Sequence, residues 1–167
     1  IAFNHGDGVL IGSDARFTVP AGTGNKVTQN SIFGNTQIGI DLGPDDGITP
    51  NDSTGHSGPN NFQDFPVITS AFNNGGGVTT VNYSLTETAN VHYTVEFFVS
   101  PSADPSGFGQ GKTFVGSAVV FSSVSGTFPQ QANLSGNFAG QFVTATATDA
   151  SGNTSEFSNA FQVSAGG

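Results

Sequence analysis

The feature that constrains this chain most is an alternating stretch near its C-terminal end, GQFVTATATDASGNTSEFSNAF at residues 140–161. Between Phe142 and Thr148, phenylalanine and threonine alternate with valine and alanine, which is the period of two that a pleated strand imposes. The segment from Asp149 to Asn153 is rich in turn-forming residues, and Glu156–Val163 follows with two apolar phenylalanines. The stretch therefore predicts a β-hairpin. Because an isolated hairpin is marginal in water, it also predicts a larger sheet with a second sheet facing it.

Seven candidate strands, separated by turns rich in Gly, Asn and Pro, run through residues 65–167. They are Phe65–Phe72, Val78–Leu85, Val91–Val99, Thr113–Phe121, Thr127–Leu134, Gln141–Thr148 and Glu156–Val163. Their number and spacing predict an immunoglobulin-like β-sandwich, and no window has the apolar spacing of a helix, so the predicted fold class is all-β. Since the chain has no Cys and no Trp, its core must consist of other apolar residues. The expected members include Tyr93, Phe97, Phe98, Phe114, Phe142 and Phe157.

Residues 1–42 contain an internal repeat. IAFNHGDGVLI at Ile1–Ile11 aligns with IFGNTQIGIDL at Ile32–Leu42, with Asn opposite Asn and Gly opposite Gly. Such a self-match predicts a β-helix-like solenoid of about two coils, with an insertion around Ser13–Thr23; the alternative is two unrelated hairpins. Two coils are too few to be stable alone. They require a cover, which could be upstream coils, the neighbouring sandwich or another chain.

Residues 43–64 form an acidic segment rich in Pro and Gly, which predicts an irregular linker. Four aspartates lie in or next to this segment: Asp41, Asp45, Asp46 and Asp52. Oxygen ligands suit Ca²⁺, so these four side chains are the candidate calcium ligands, although their spacing does not match the EF-hand loop. The alternative is a solvated acidic loop without a metal.

The scarcity of charge excludes some partners. Three Lys+Arg against twelve Asp+Glu give a net charge of −9, which disfavours both nucleic acid and an anionic membrane surface. No apolar run is long enough to span a bilayer, so no membrane insertion is expected. Without Cys there is neither a disulfide nor a thiolate metal site. The low charge and the Ser-, Thr-, Asn- and Gly-rich composition are typical of secreted β-proteins, and Ile1 is expected to be a processed or trimmed end.

Two signatures resemble a known architecture. VEFFVSPSADPSGFGQGKTFVGS with GQFVTATATDASGNTSEFSNA resembles the immunoglobulin-like module at the ends of parallel β-helix repeat regions in large bacterial surface and secreted proteins. GIDLGPDDGITPND with GPNNFQDFPVITSA resembles the junction that precedes this module. The resemblance implies a right-handed parallel β-helix, an extracellular or cell-surface location and a structural or adhesive role. It implies no catalytic residues.

Candidate catalytic residues are few. His5, His56 and His92 lie in different segments without a metal-ligand spacing. Parallel β-helices often carry polysaccharide-active sites that use paired carboxylates, for which Asp7, Asp14 and Asp41 are the candidates. Because two coils form hardly any groove, the chain is predicted not to be an enzyme, and the remnant of such an enzyme is kept as an alternative.

Two classes of function remain open. A binding module would present sandwich loops, for instance Ser100–Gly111, to a glycan or a protein receptor. A structural subunit would associate with its own copies, since Ile1–Ile11 has one acidic residue, no Lys and no Pro to block strand addition. Addition of a neighbouring chain to this strand is heterologous and predicts an extracellular filament. The alternative is that the chain is a trimmed fragment of a longer β-helix.

Overall fold

The computed structural model describes residues 1–12, 22–43, 47–52 and 57–166, and this part of the chain is all-β. Its strands are β1 (Val9–Leu10), β2 (Ile40–Asp41), β3 (Val67–Asn73), β4 (Val78–Glu87), β5 (His92–Ser100), β6 (Thr113–Phe121), β7 (Gly126–Ser135), β8 (Phe142–Asp149) and β9 (Phe161–Gln162). A 3₁₀ turn at Pro59–Phe62 is the one helical element among these residues. None of the described segments is a helix long and apolar enough to cross a membrane.

Within the described ranges the strands form three sheets. β1 and β2 pair in parallel; β3, β4 and β7 form one antiparallel sheet; and the second antiparallel sheet has the order β6-β5-β8-β9. The two antiparallel sheets, named here the two-sheet unit, enclose one apolar core to which both contribute. Of the predicted core members, Tyr93 and Phe97 lie in this core. Phe98 and Phe157 instead lie in a second apolar cluster, shared with the N-terminal residues.

The first six predicted strands are confirmed to within a few residues, and the seventh is largely wrong. Only Phe161–Gln162 of the predicted Glu156–Val163 is a strand. Before it, the chain follows β8 with a different bonding pattern, in which Ser158 uses both its backbone N–H and its hydroxyl. The N–H donates to the Ala145 carbonyl at 2.8 Å, and the hydroxyl oxygen accepts the Ala145 N–H at 2.8 Å. Side-chain bonds therefore replace the ladder that a regular strand would make.

Residues 1–12 and 32–43, named here the first and second stacked segments, run in parallel at an offset of 31 residues. Val9 pairs with Ile40 and Leu10 with Asp41, which is the register that the internal repeat predicts. The predicted insertion at Ser13–Thr23 lies mostly outside the described residues.

In the described part of the predicted linker, a side-chain amide bonds segments that are distant in sequence, and the one regular element is the short 3₁₀ turn at Pro59–Phe62. Asn60 is fully buried, and its Nδ2 donates to the carbonyls of Asn25 and Thr154 at 2.8 and 2.9 Å. Its Oδ1 accepts the Asn25 N–H at 2.9 Å. The linker therefore fastens residues 22–30 to the segment that follows β8.

Candidate functional site

A ladder of side-chain amides runs through both stacked segments into the two-sheet unit. The Asn4 side chain donates to Asn35 Oδ1 at 2.9 Å, and Asn35 Nδ2 donates to Gln110 Oε1 at 2.9 Å. Gln110 Oε1 also accepts the backbone N–H of Asn35 at 3.0 Å. Gln110, from the loop between β5 and β6, thus occupies the place that an asparagine of a third stacked segment would take.

A column of glycines sets how closely these layers approach. A Cβ on Gly8 would lie 2.6 Å from the Gly39 carbonyl oxygen, and one on Gly39 would lie 2.8 Å from the Phe157 ring. Real Cβ atoms do not approach other atoms this closely, so glycine is required at both positions. The phenylalanine ring is therefore in direct contact with the second segment.

The second segment is covered by the outer face of the four-stranded sheet. Phe98 of β5 and Phe157 pack with Ile32, Ile40 and Leu42 in one buried cluster. Ile32 also makes two antiparallel backbone bonds with Gly111, each of 2.8 Å. This face of the two-sheet unit therefore closes one end of the stack.

Two buried glutamates accept the backbone amides that point into this junction. Glu156 accepts the N–H groups of Leu42 at 3.1 Å and Thr49 at 2.9 Å. Glu96 of β5 accepts the Gln29 N–H at 2.9 Å and a hydrogen bond from the Thr28 hydroxyl. Burial raises the pKa of Glu156, and the two amides oppose that shift. Both carboxylates therefore accept backbone N–H groups that the carbonyls of a neighbouring strand would otherwise accept.

The opposite end of the stack is an open edge within the described part of the chain. Val9 donates to the Gly39 carbonyl at 2.9 Å and Ile11 to the Asp41 carbonyl at 2.8 Å, so both face the second segment. Because successive residues of a strand alternate direction, the N–H and C=O of Leu10 point away from it. The Leu10 side chain is 49% exposed. This edge has the groups that an added strand would bond.

The predicted calcium ligands are only partly described. Asp45 and Asp46 lie outside the described residues, and no group of three metal-ligating side chains is found among those that are described. Asp52 is exposed, and its N–H donates to Asp64 Oδ1 at 3.3 Å, whereas Asp41 is fully buried. Calcium binding stays a prediction.

Asp41 has an unusual environment. One oxygen accepts the Gly43 N–H at 2.8 Å, and Oδ2 is buried without a hydrogen-bond partner among the described residues. Burial is the main cause that raises the pKa of Asp41 to about 7; repulsion by the carboxylates of Asp7 and Glu156 adds to the rise, and backbone hydrogen bonds from Gly43 and Gly47 oppose it. A proton or a bound cation would satisfy Oδ2.

The candidate catalytic residues do not form a described site. Asp14 and His56 lie outside the described residues, and Asp7 Oδ1 accepts the Ile38 N–H at 3.1 Å. His5 is exposed, and His92 is exposed and stacked on Phe121 with ring centroids 4.5 Å apart. The described carboxylates near the stack are thus bonded to backbone amides.

The loop Ser100–Gly111, predicted to be a displayed binding loop, is divided between two environments. Its end is buried against the second stacked segment through Gly109, Gln110 and Gly111. Its beginning, Ser100–Pro105, is largely exposed and borders a pocket. Sequence reasoning missed the junction residues Gln110, Glu96 and Glu156. For Glu96, the available signal was its charged side chain within the apolar strand VEFFV.

No protein-family model matches the sequence, and no curated protein is significantly similar to it. The geometry of the stack and of its two ends therefore has to support the functional proposal by itself.

Proposed function

We propose that the stacked segments are two coils of a parallel β-helix and that the two-sheet unit is an immunoglobulin-like sandwich closing one end of that helix. The chain is then a non-enzymatic structural or adhesive module of an extracellular or cell-surface protein. The observation that carries this proposal is the amide ladder from Asn4 through Asn35 to Gln110, in which the sandwich supplies the next rung. The low charge of the chain, and a first coil in which Ile1–Ile11 has one acidic residue and no Lys, agree with such a role.

The closed end explains how a short stack can be stable. Each β-helix coil exposes a stacking face, and an uncovered face has unpaired backbone groups and apolar side chains. At the closed end, Glu156 and Gln110 bond these backbone groups, while Phe157 covers the apolar side chains. The module therefore terminates a β-helix in one direction only.

The open edge at Leu10 is the surface on which the module assembles. An added strand would bond the outward N–H and C=O of Leu10 and cover its side chain, as in strand addition between proteins. Since the other end of the stack is covered by the sandwich, the next copy would join through a different surface. Such a heterologous contact builds a filament if it does not close into a ring.

Light scattering and negative-stain microscopy of the purified chain test this proposal. We expect the mass to rise with protein concentration and filaments to form, and we expect Leu10→Lys to prevent both by placing a charge at the edge. Val124→Lys is the matched control, because Val124 is 58% exposed and lies in the connection between β6 and β7. Monomers at all concentrations, or equal loss of assembly in both variants, would contradict the proposal.

A second candidate function is ligand binding at the surface. It is favoured by one observation, the pocket beside the loop Ser100–Pro105, which Phe3 and Lys112 help to line. A glycan or a protein receptor is the kind of ligand that such a surface module would bind. A remnant of a polysaccharide-active enzyme is the remaining alternative, and release of reducing ends from polysaccharides would reveal it.

A further inference from the structure

A pocket of ≈ 460 Å³ lies between the two stacked segments and the loop that follows β5. Phe3 and Phe33 form one wall, and Pro101 and Pro105 line the loop side. Small-molecule sites typically have a volume of about 300–1,000 Å³, so this pocket has room for one or two rings.

Phe3, in this wall, has an unfavourable backbone conformation. Its φ is 61°, and the residue at the equivalent position of the second segment is Gly34, with φ 65°. Only glycine adopts this left-handed conformation without strain. Phe3 is nevertheless 77% exposed, and its ring meets the edge of Phe33 at a centroid distance of 5.5 Å. An exposed aromatic ring on a strained backbone is typical of a ligand site.

Lys112 provides a cation at the same wall. Its ammonium lies 4.9 Å from the centroid of the Phe33 ring, and no carboxylate pairs with it within the described part of the chain. The protein has only three Lys+Arg and a net charge of −9. Lys112 can therefore pair with an anionic group of a ligand at its own end of the pocket, whereas Asp104 adds a carboxylate elsewhere in the lining.

Asp104 also lines the pocket, and its carboxylate can accept hydrogen bonds from a ligand. Its Oδ2 accepts the Gln110 side-chain amide at 2.6 Å, and its Oδ1 accepts the Ser106 N–H at 3.0 Å. These two bonds fix the carboxylate, and each oxygen keeps a lone pair for a further donor. The pocket thus combines one cation, an apolar aromatic wall and a fixed acceptor.

We propose that this pocket binds an acidic sugar, with the carboxylate of a uronate residue at Lys112, its apolar ring face on Phe3 and its hydroxyl groups toward Asp104. A uronate presents these three features on one ring. A neutral sugar lacks the anion, and an aromatic carboxylate lacks the hydroxyl donors.

Calorimetric titration with di- and trigalacturonate tests the site, with the corresponding neutral galactose oligomers and benzoate as comparison ligands. We expect galacturonate to bind and Lys112→Gln to weaken binding about tenfold or more, since a charge-assisted hydrogen bond is lost. Lys26→Gln is the matched control, because it makes the same charge change at the exposed Lys26 and should leave binding unchanged. Phe3→Gly should weaken binding while keeping the fold, because glycine suits φ 61°.

The proposal is overturned if galacturonate does not bind, if the neutral oligomers or benzoate bind equally well, or if Lys112→Gln and Lys26→Gln have the same effect. Circular dichroism of each variant separates loss of binding from loss of fold. Amide chemical shifts on titration should change around Phe33 and Lys112. If they change only elsewhere, the ligand occupies another site.

Discussion

Gln110 joins the loop after β5 to the second stacked segment through both ends of its side-chain amide. Replacing it with alanine removes the acceptor of the buried Asn35 backbone N–H and one of the two acceptors of the Asn35 side-chain amide. We expect Gln110→Ala to lower the free energy of unfolding by about 2–4 kcal/mol. Urea unfolding measures this, with Gln131→Ala as the control, because Gln131 is exposed and its change should stay within about 0.5 kcal/mol. Equal effects of the two variants would show that the hydrogen bonds of Gln110 to Asn35 do not stabilise the fold.

The buried carboxyl of Asp41 predicts how stability depends on pH. Its pKa is raised from 3.8 to about 7, so between these values the folded state keeps a proton that the unfolded state has lost. Stability is therefore greatest at the acidic end of this window and falls, by at most about 1.4 kcal/mol per pH unit, as pH rises toward 7. Urea unfolding at pH 5 and pH 8 measures the difference. It should shrink in Asp41→Asn and persist in Asp52→Asn, which changes an exposed aspartate of the same region.

Calcium would satisfy the same buried oxygen of Asp41 that the proton satisfies at lower pH. If the prediction of a calcium site is right, calcium should raise the melting temperature at pH 8 more than at pH 5, because protonation competes with the metal. EDTA should reverse the rise, and Asp41→Asn should abolish it. An unchanged melting temperature in calcium and in EDTA would contradict the calcium site and leave an acidic segment without a metal.

At the scale of residues, the sequence identified one half of the amide ladder. Asn4 and Asn35 stand at equivalent positions of a repeat, so their proximity follows from its period. Gln110 belongs to no repeat and reaches Asn35 across 75 residues. Glu96 and Glu156 could not be placed either. Apart from the Thr28 hydroxyl on Glu96, the partners described above are backbone amides of distant segments, and backbone amides have no sequence signature.

At the scale of elements, β8 shows where alternation is informative and where it is not. The alternation correctly predicted a strand, with Val143 and Ala145 in the core of the two-sheet unit. It could not show that the threonine face is also covered, yet Thr144 and Thr146 are each 2% exposed. The Thr144 hydroxyl donates to the Gln110 carbonyl in the loop after β5 at 3.1 Å, and Thr148 bonds Thr154 in the segment after β8 at 2.9 Å. A period of two is the same whether the polar face meets water or protein.

The segment after β8 was predicted to be a strand because its phenylalanines are spaced like those of one. It does not form a regular strand there, because the hydroxyls of its serines accept the neighbouring backbone amides of β8. We expect Ser158→Ala to cost about 1–3 kcal/mol, because it leaves the buried Ala145 N–H without an acceptor. Ser117→Ala on the exposed side of β6 is the control and should be near neutral. A small effect at Ser158 in urea unfolding would mean that a regular ladder forms there.

At the scale of the whole molecule, the stack and the two-sheet unit share the apolar cluster around Phe157. The two parts should therefore unfold together. We expect Phe157→Ala to lower the free energy of unfolding by about 3–5 kcal/mol, since it removes a fully buried ring and leaves a cavity at the junction. Calorimetry should show one transition in the native chain. Two separate transitions there would mean that the stack and the sheets are independent.

The most direct test of an open stack end is amide hydrogen exchange at Leu10 as a function of protein concentration. Val9 and Ile11 donate to the second stacked segment and should be protected at every concentration. The Leu10 amide points outward and should exchange quickly in dilute solution, then become protected as copies add their strands. A Leu10 amide that exchanges at the same rate at all concentrations would contradict the account.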